Sequence, residues 1–210
     1  MDFRGVFWQS TNDYAGKAEV MMKKPKRTRG HFPPLTVSVP ALLESGNDAE
    51  FRKLVDDLLL FATQIQDVRK SLSTAMGLTQ PQYNILMILA HKAATEEMTV
   101  SEMATRMNVS PPFVVVETNK LEAIGLLHKR PSAVDRRRIN LHLTNKAISL
   151  TTNIGPLQMN VNDRLFGSLS ARDFRALGSI VGKLIASYGP ALEEARAHSN
   201  LTSKRPHDSE

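Results

Sequence analysis

Between Met98 and Thr144 the apolar residues recur twice at helical spacing and then, after Gly125, in alternation. No other feature constrains the fold as tightly, because two helices this short are stable only when packed on something else. Thr99 and Glu102 can satisfy the free amides of a first helical turn reciprocally. Val100, Met103, Ala104 and Met107 then share a side opposite Glu102, Thr105 and Arg106. Asn108 suits the left-handed stop of that helix.

Ser110 caps a second helix, and Pro111 and Pro112 fall in its first turn, where a missing N–H costs nothing. Val114, Thr118 and Leu121 share one face, and Pro112, Val115, Val116 and Asn119 share the other. A helix apolar on both sides is either fully buried or offers one face to a partner. In a DNA major groove, small apolar side chains meet thymine methyls, and Asn119 or Lys120 reaches a base edge or a phosphate.

Leu126 and Leu127 open a strand, Pro131-Ser132 forms a turn, and Ile139, Leu141 and Leu143 alternate with Asn140 and His142. Arg130, Arg136, Arg137 and Arg138 therefore crowd a hairpin tip. Asp135 can pair with Arg130 or Arg137 and orient that tip, leaving the remaining guanidinium groups for phosphates or a narrow minor groove. Helix, turn, helix and basic hairpin in this order spell a winged helix-turn-helix that docks on duplex DNA. The fold class expected is mainly α with a small β-hairpin wing, joined to a helical dimerisation domain.

Ser110, Leu121-Glu122, Gly125-Leu126-Leu127, Arg130, Asp135-Arg136-Arg137 and Leu143-Thr144 resemble the MarR family of bacterial transcriptional regulators in type and spacing. The resemblance runs from about Asp48 to Ala197 and is most specific in the wing. Val116 stands where many members carry arginine, Glu117 where the residue is commonly apolar, and Ala147 where glycine often follows the Leu-Thr pair. The resemblance implies a homodimer on a pseudo-palindromic operator, acting as a repressor. It also implies a small aromatic or phenolic effector bound between the dimerisation and DNA-binding regions.

Charge distribution agrees with a nucleic-acid partner. Seven Lys/Arg stand against four Asp/Glu between Thr99 and Thr144, and seven against three between Met1 and Pro40, so the excess of a chain with net charge +6 lies in these two segments. The chain has no cysteine, so disulfides, thiolate metal sites and thiol-based peroxide sensing are excluded. Met1-Asp2-Phe3-Arg4 leads into a polar segment without a signal-peptide core. The longest apolar runs, Leu58 to Ala62 and Ile85 to Ala90, fall far short of the ~20 residues that span a bilayer. The expected location is cytoplasmic, with no membrane partner.

Residues 1–45 are expected to be a flexible basic tail, with Lys23-Lys24-Pro25-Lys26-Arg27 available to phosphates. Residues 46–78 and 145–198 are expected to form the helical dimerisation region. Its first helix carries Phe51, Leu54, Val55, Leu58, Phe61, Ile65, Val68 and Leu72 at helical spacing, and Gly77 stops it. Residues 79–144 form the DNA-binding domain and 199–210 a frayed end. Gly155-Pro156 is expected to kink or break one late helix and Gly189-Pro190 to break the next.

Candidate effector-binding residues are Phe61, Ile65, Tyr83, Met87 and His91. His91, His128 and His142 show no metal-ligand spacing, and no glycine-rich phosphate loop, nucleophile elbow or zinc helix is present. Neither a cofactor nor an enzymatic activity is expected. Two rivals to a DNA-binding regulator stay open: a winged-helix module for protein–protein assembly, docking through Val115 and Val116, and a small-molecule scavenger with incidental DNA binding.

Overall fold

In a computed structural model of the chain, the residues described are 34–92, 98–132, 135 and 137–202. After a 3-10 turn at Pro40–Leu42 the elements are α1 (Ala49–Ala75), α2 (Gln80–Ala90), α3 (Val100–Met107), α4 (Pro111–Ala123), β1 (Leu127–Pro131), β2 (Ile139–Leu143), α5 (Asn145–Phe166) and α6 (Ala171–Thr202). Two compact units divide within α1, one ending at Leu58 and the other beginning at Leu59.

In the first unit Asp48 is 1% exposed. Its carboxylate accepts the Thr36 amide at 2.6 Å and the Thr36 hydroxyl at 2.7 Å, and it pairs with Arg52 at 2.9 Å. The hydrogen bonds from Thr36, side chain first, hold its carboxyl below the ordinary aspartate range. Part of the segment expected to be a flexible tail is therefore tied to the start of α1. The basic run Lys23 to Arg27 lies outside the described residues.

The second unit gathers its core from nearly every element: Leu72 and Met76 at the end of α1, Tyr83, Ile85 and Leu86 of α2, Met103 of α3, Val114 and Leu121 of α4, Leu127 and Leu141 of the hairpin, and Ala147 and Ile154 of α5. Fully burying aliphatic side chains of this size contributes about 1.5–3 kcal/mol each, so the two short helices are held by this shared core. Thr99 accepts the Glu102 amide while Glu102 accepts the Thr99 amide, as the box pattern requires. Asn108 adopts φ 53° and ψ 47°, and Gly77 and Gly125 take positive φ at the ends of α1 and α4. Thr79 donates its amide to Gln82 at the start of α2, and the Ser170 amide and hydroxyl both donate to Asp173 at the start of α6.

β1 and β2 pair antiparallel with Leu127 opposite Leu143. The expected alternation of β2 is not observed: Asn140 and Leu141 are both buried. The cause is a third backbone segment, since Thr99 bridges Asn140 and the Leu141 amide donates to Met98 at 2.9 Å. The lead-in to α3 thus covers the outer side of the wing.

At Pro156, where a kink or a break is expected, the helix does not break, and the break expected at Pro190 is corrected. α5 runs through Pro156 and α6 through Pro190. Each proline follows a glycine, which removes the Cβ that the proline ring would otherwise meet. The carbonyls that lose an amide partner belong to Thr152 and Ala186, both on exposed residues where water can serve. Among the described residues no helix is long and apolar enough to cross a membrane.

Candidate nucleic-acid interface

The buried face of α4 is set by Val114, Thr118 and Leu121, each 0% exposed. The Thr118 hydroxyl, which would otherwise be buried without a partner, donates to the Val114 carbonyl at 2.7 Å. Val115 and Val116, 40% and 51% exposed, lie on the opposite side with Pro112 and Asn119. The fully buried alternative for α4 is therefore set aside.

Ser110 caps α4 without a side-chain hydrogen bond. Pro111 and Pro112 have no N–H, and the amides of Phe113 and Val114 both donate to the Ser110 carbonyl. The helix thus lacks the free amides that usually hold a phosphate at a helix start. At this end the exposed Ser110 hydroxyl is the group left to do so.

Glu117 is 6% exposed. Its carboxylate accepts the Gln82 amide at 3.3 Å and pairs with Lys120 at 2.7 Å. This acidic group therefore bridges α2 to α4 inside the protein, and Lys120 is anchored to its own helix. Asn119 stays exposed and its Oδ1 accepts a hydrogen bond from the Lys129 ammonium of β1.

In the wing, Asp135 works through the backbone, with no arginine side chain paired to it among the described residues. Its Oδ1 accepts the Arg137 amide at 3.0 Å and its carbonyl accepts the Arg138 amide at 2.9 Å. The turn is closed by the Ser132 amide, which donates to the Arg138 carbonyl at 2.8 Å. Arg138 Nη2 sits 2.8 Å from Glu102 of α3. The guanidinium groups of Arg130 and Arg137 are exposed and without an ion-pair partner among the described residues, and Arg136 lies outside them.

The candidate effector residues separate. Tyr83 and Met87, at 1% and 3% exposure, are core residues. Burial pushes the Tyr83 hydroxyl up, against the opposing effect of Arg69, whose guanidinium lies 5.4 Å from the ring centre. Phe61 packs edge-on against Phe166 at 6.1 Å, and His91 ends α2 in the open. Ile65 alone of the five lines the cleft of about 460 Å³ between α1, α2 and the α3–α4 turn, together with Arg69, Arg106, Ile88, Val109 and Phe113. Sequence reasoning missed Arg69 and Arg106 because each sits within a stretch read for its apolar stripe. Arg69 donates to Asn84 at 2.9 Å, whereas Arg106 has no partner among the described residues.

Residues 78–139, from just before α2 to the first residue of β2, match the model of the MarR family. This stretch belongs to the MarR family. The HTH-type transcriptional regulator MgrA of Staphylococcus aureus is 28% identical over 121 residues, which is 56% of this chain and 77% of MgrA. Two solved structures share the fold. The transcription regulator MarR of Oenococcus oeni has a TM-score of 0.55 at 22% identity, over 64% of this chain and 99% of its own. S. aureus MepR in its DNA-binding conformation has a TM-score of 0.59 at 18% identity, over 64% of this chain and 98% of its own. Residues 78–139 thus form a MarR-family module with a winged-helix fold, and MgrA is named a transcriptional regulator.

Proposed function

We propose that this chain is a dimeric, sequence-specific DNA-binding transcriptional repressor whose affinity for its operator responds to a small aromatic or phenolic acid. The observation that carries the reading is the exposed face of α4, with Val115, Val116 and Asn119, accompanied by a wing whose Arg130 and Arg137 are free of internal ion pairs among the described residues. A phosphate backbone neutralises such groups at little cost, because no internal pair has to be broken first. Ser110, Pro111 and Pro112 lead α4 into the groove, Val115, Val116 and Asn119 meet base edges, and Arg130, Arg136 and Arg137 meet the backbone. Lys120 and Arg138 reach phosphates by exchanging their carboxylate partners for them.

Dimerisation is required for two such helices to meet successive major grooves, ~34 Å apart. Support comes from α6, where Phe174, Ile180, Leu184, Ile185 and Tyr188 are all more than half exposed in the single chain. A stripe of this kind on a long helix is the usual mark of a subunit interface.

The effector reading rests on the cleft that Arg69 and Arg106 share with Ile65, Ile88 and Phe113. Two guanidinium groups over apolar walls suit a carboxylate on a ring. Because Phe113 belongs to α4, occupancy and the position of the recognition helix are linked, and a ligand that prefers one position shifts the DNA affinity.

The rival use of the module, as a protein-docking surface, draws on the same exposed Phe113, Val115 and Val116. Fluorescence anisotropy on labelled duplex from the chain's own upstream region, against a scrambled duplex at several salt concentrations, separates the two. Repressor function requires tight, sequence-preferring binding with a log–log salt slope of about −0.9 per neutralised phosphate, weakened by an aromatic acid. Weak binding equal on both duplexes favours the docking module.

A further inference from the structure

Lys129 was no part of the expected interface, yet it holds the central polar residue of that interface. Its amide donates to Glu122 Oε1 at 3.2 Å, and its ammonium lies 3.9 Å from Glu122 Oε2. The same ammonium donates to Asn119 Oδ1. The side chain is only 18% exposed, so Lys129 is committed to α4 rather than held out towards solvent.

An ammonium has donors and no acceptor, so the oxygen of the Asn119 amide, not its nitrogen, must face it. The orientation of an asparagine amide, which is ordinarily interchangeable, is here decided by chemistry. The NH₂ group is left to point outward as the free end. Asparagine reads adenine by accepting from N6 and donating to N7 at once. The amide oxygen keeps a second lone pair, but a cation seated on the first repels another donor approaching it, which weakens the accepting half of that pair. Guanine offers only acceptors, N7 and O6, on the same edge.

We infer that Lys129 is a specificity-determining residue: by taking one lone pair of Asn119 Oδ1 it makes Asn119 chiefly a hydrogen-bond donor and directs that position of the recognition helix to guanine rather than adenine. The inference rests on the proposed docking of α4 in the major groove and adds the base class read there. Glu122 is a positioning residue, since it holds Lys129 in place.

The test is selection of the full-length protein on a duplex pool with a randomised core, at one fixed salt concentration, followed by anisotropy on the enriched duplex and its single-base variants. Wild type is expected to enrich guanine at one position of each half-site, favoured over adenine about tenfold. Lys129→Met, which keeps the stem and removes the charge, is expected to abolish that margin and admit adenine. Asn119→Asp, an exposed change that leaves only acceptors, is expected to move the preference to cytosine, whose N4 is a donor. Because this second variant does not depend on the Lys129 substitution folding, it decides the matter independently. Adenine at that position in wild type, or an unchanged motif with Asn119→Asp, overturns the donor assignment while leaving DNA recognition standing. No enriched motif from the wild-type protein overturns both.

Discussion

Glu102 Oε1 lies 2.8 Å from Arg138 Nη2 while Glu102 Oε2 accepts the Thr99 amide at 2.8 Å, so one side chain caps α3 and ties down the root of the wing. Both partners of the ion pair are about half exposed, where such a pair contributes under about 1 kcal/mol. Its consequence is positional: it holds an arginine beside a carboxylate that DNA phosphates would repel. Glu102→Gln preserves the capping pattern, since glutamine serves at that place equally, and releases Arg138. Duplex affinity at low salt is expected to rise several-fold with little change in Tm. Unchanged or weaker binding in anisotropy would mean that Glu102 holds Arg138 in its productive position. The Glu102 pKa is lowered, first by the Thr99 amide and less by Arg138. A lowered folded pKa contributes stability above the ordinary glutamate range that is lost as pH falls through the folded value. A wild-type pH–Tm profile is expected to decline more on the acid side than that of Glu102→Gln.

Arg137 is one of the wing's exposed charges, and Asp135 holds its amide at 3.0 Å. Arg137→Ala is expected to weaken duplex binding at least tenfold and to make the salt slope shallower by about 0.9 for each phosphate it no longer neutralises, with oligomeric state unchanged. Retained affinity would remove the wing from the interface.

Asp135→Ala should weaken binding too, although it removes a negative charge beside the DNA. The backbone of the tip loses an acceptor and the arginines lose their common orientation. Tighter binding by the same anisotropy assay would show that net charge alone matters there.

The parts of this fold that could be read from sequence are those fixed by local chemistry. The Thr99–Glu102 box, the left-handed Asn108 and the helix-ending Gly125 depend on residues a few positions apart, and each is where the spacing put it. What could not be read depends on residues far apart in the chain. Asn140 is buried because Thr99 arrives from 41 positions away, and no period in β2 reports that. Glu117 stands at a position that is commonly apolar in the resembled family, and how its carboxylate is satisfied there depends on Gln82, 35 positions away. Pro156 reads as a kink or a break and Pro190 as a break because the cost of a helical proline is local, whereas the exposed carbonyls and preceding glycines that lower it are context. In the interface, the exposed face of α4 was legible from its two-sided pattern. Lys129 was overlooked, although alternation places it on the same side of β1 as buried Leu127.

Glu117 is nearly buried against α2, so truncating it leaves the Gln82 amide facing an empty space. Glu117→Ala is expected to cost about 1–3 kcal/mol, a fall in Tm of roughly 2–4 °C for each kcal/mol in a chain of this size. Replacing both partners by leucine is expected to recover only part of that loss, since the Gln82–Glu117 pair is then matched but the Thr79 amide loses the Gln82 oxygen that caps α2. Thermal unfolding of the two single variants and the double variant measures the coupling directly. Additive losses would show that Gln82 and Glu117 act independently.

Ile185 is 70% exposed on α6, and Phe174 and Ile180 on the same helix are 65% and 53% exposed. A charge placed at Ile185 meets no core and so leaves the folded subunit intact. If this stripe is the dimer interface, Ile185→Asp buries an unpaired carboxylate between subunits, which costs several kcal/mol. Sedimentation velocity is then expected to show monomers at concentrations where wild type is dimeric, with unchanged circular dichroism. Duplex affinity should fall by about 10²-fold or more, because the second recognition helix loses the effective concentration that linkage gives it. A variant that remains dimeric and binds DNA normally would place the subunit interface elsewhere than on α6.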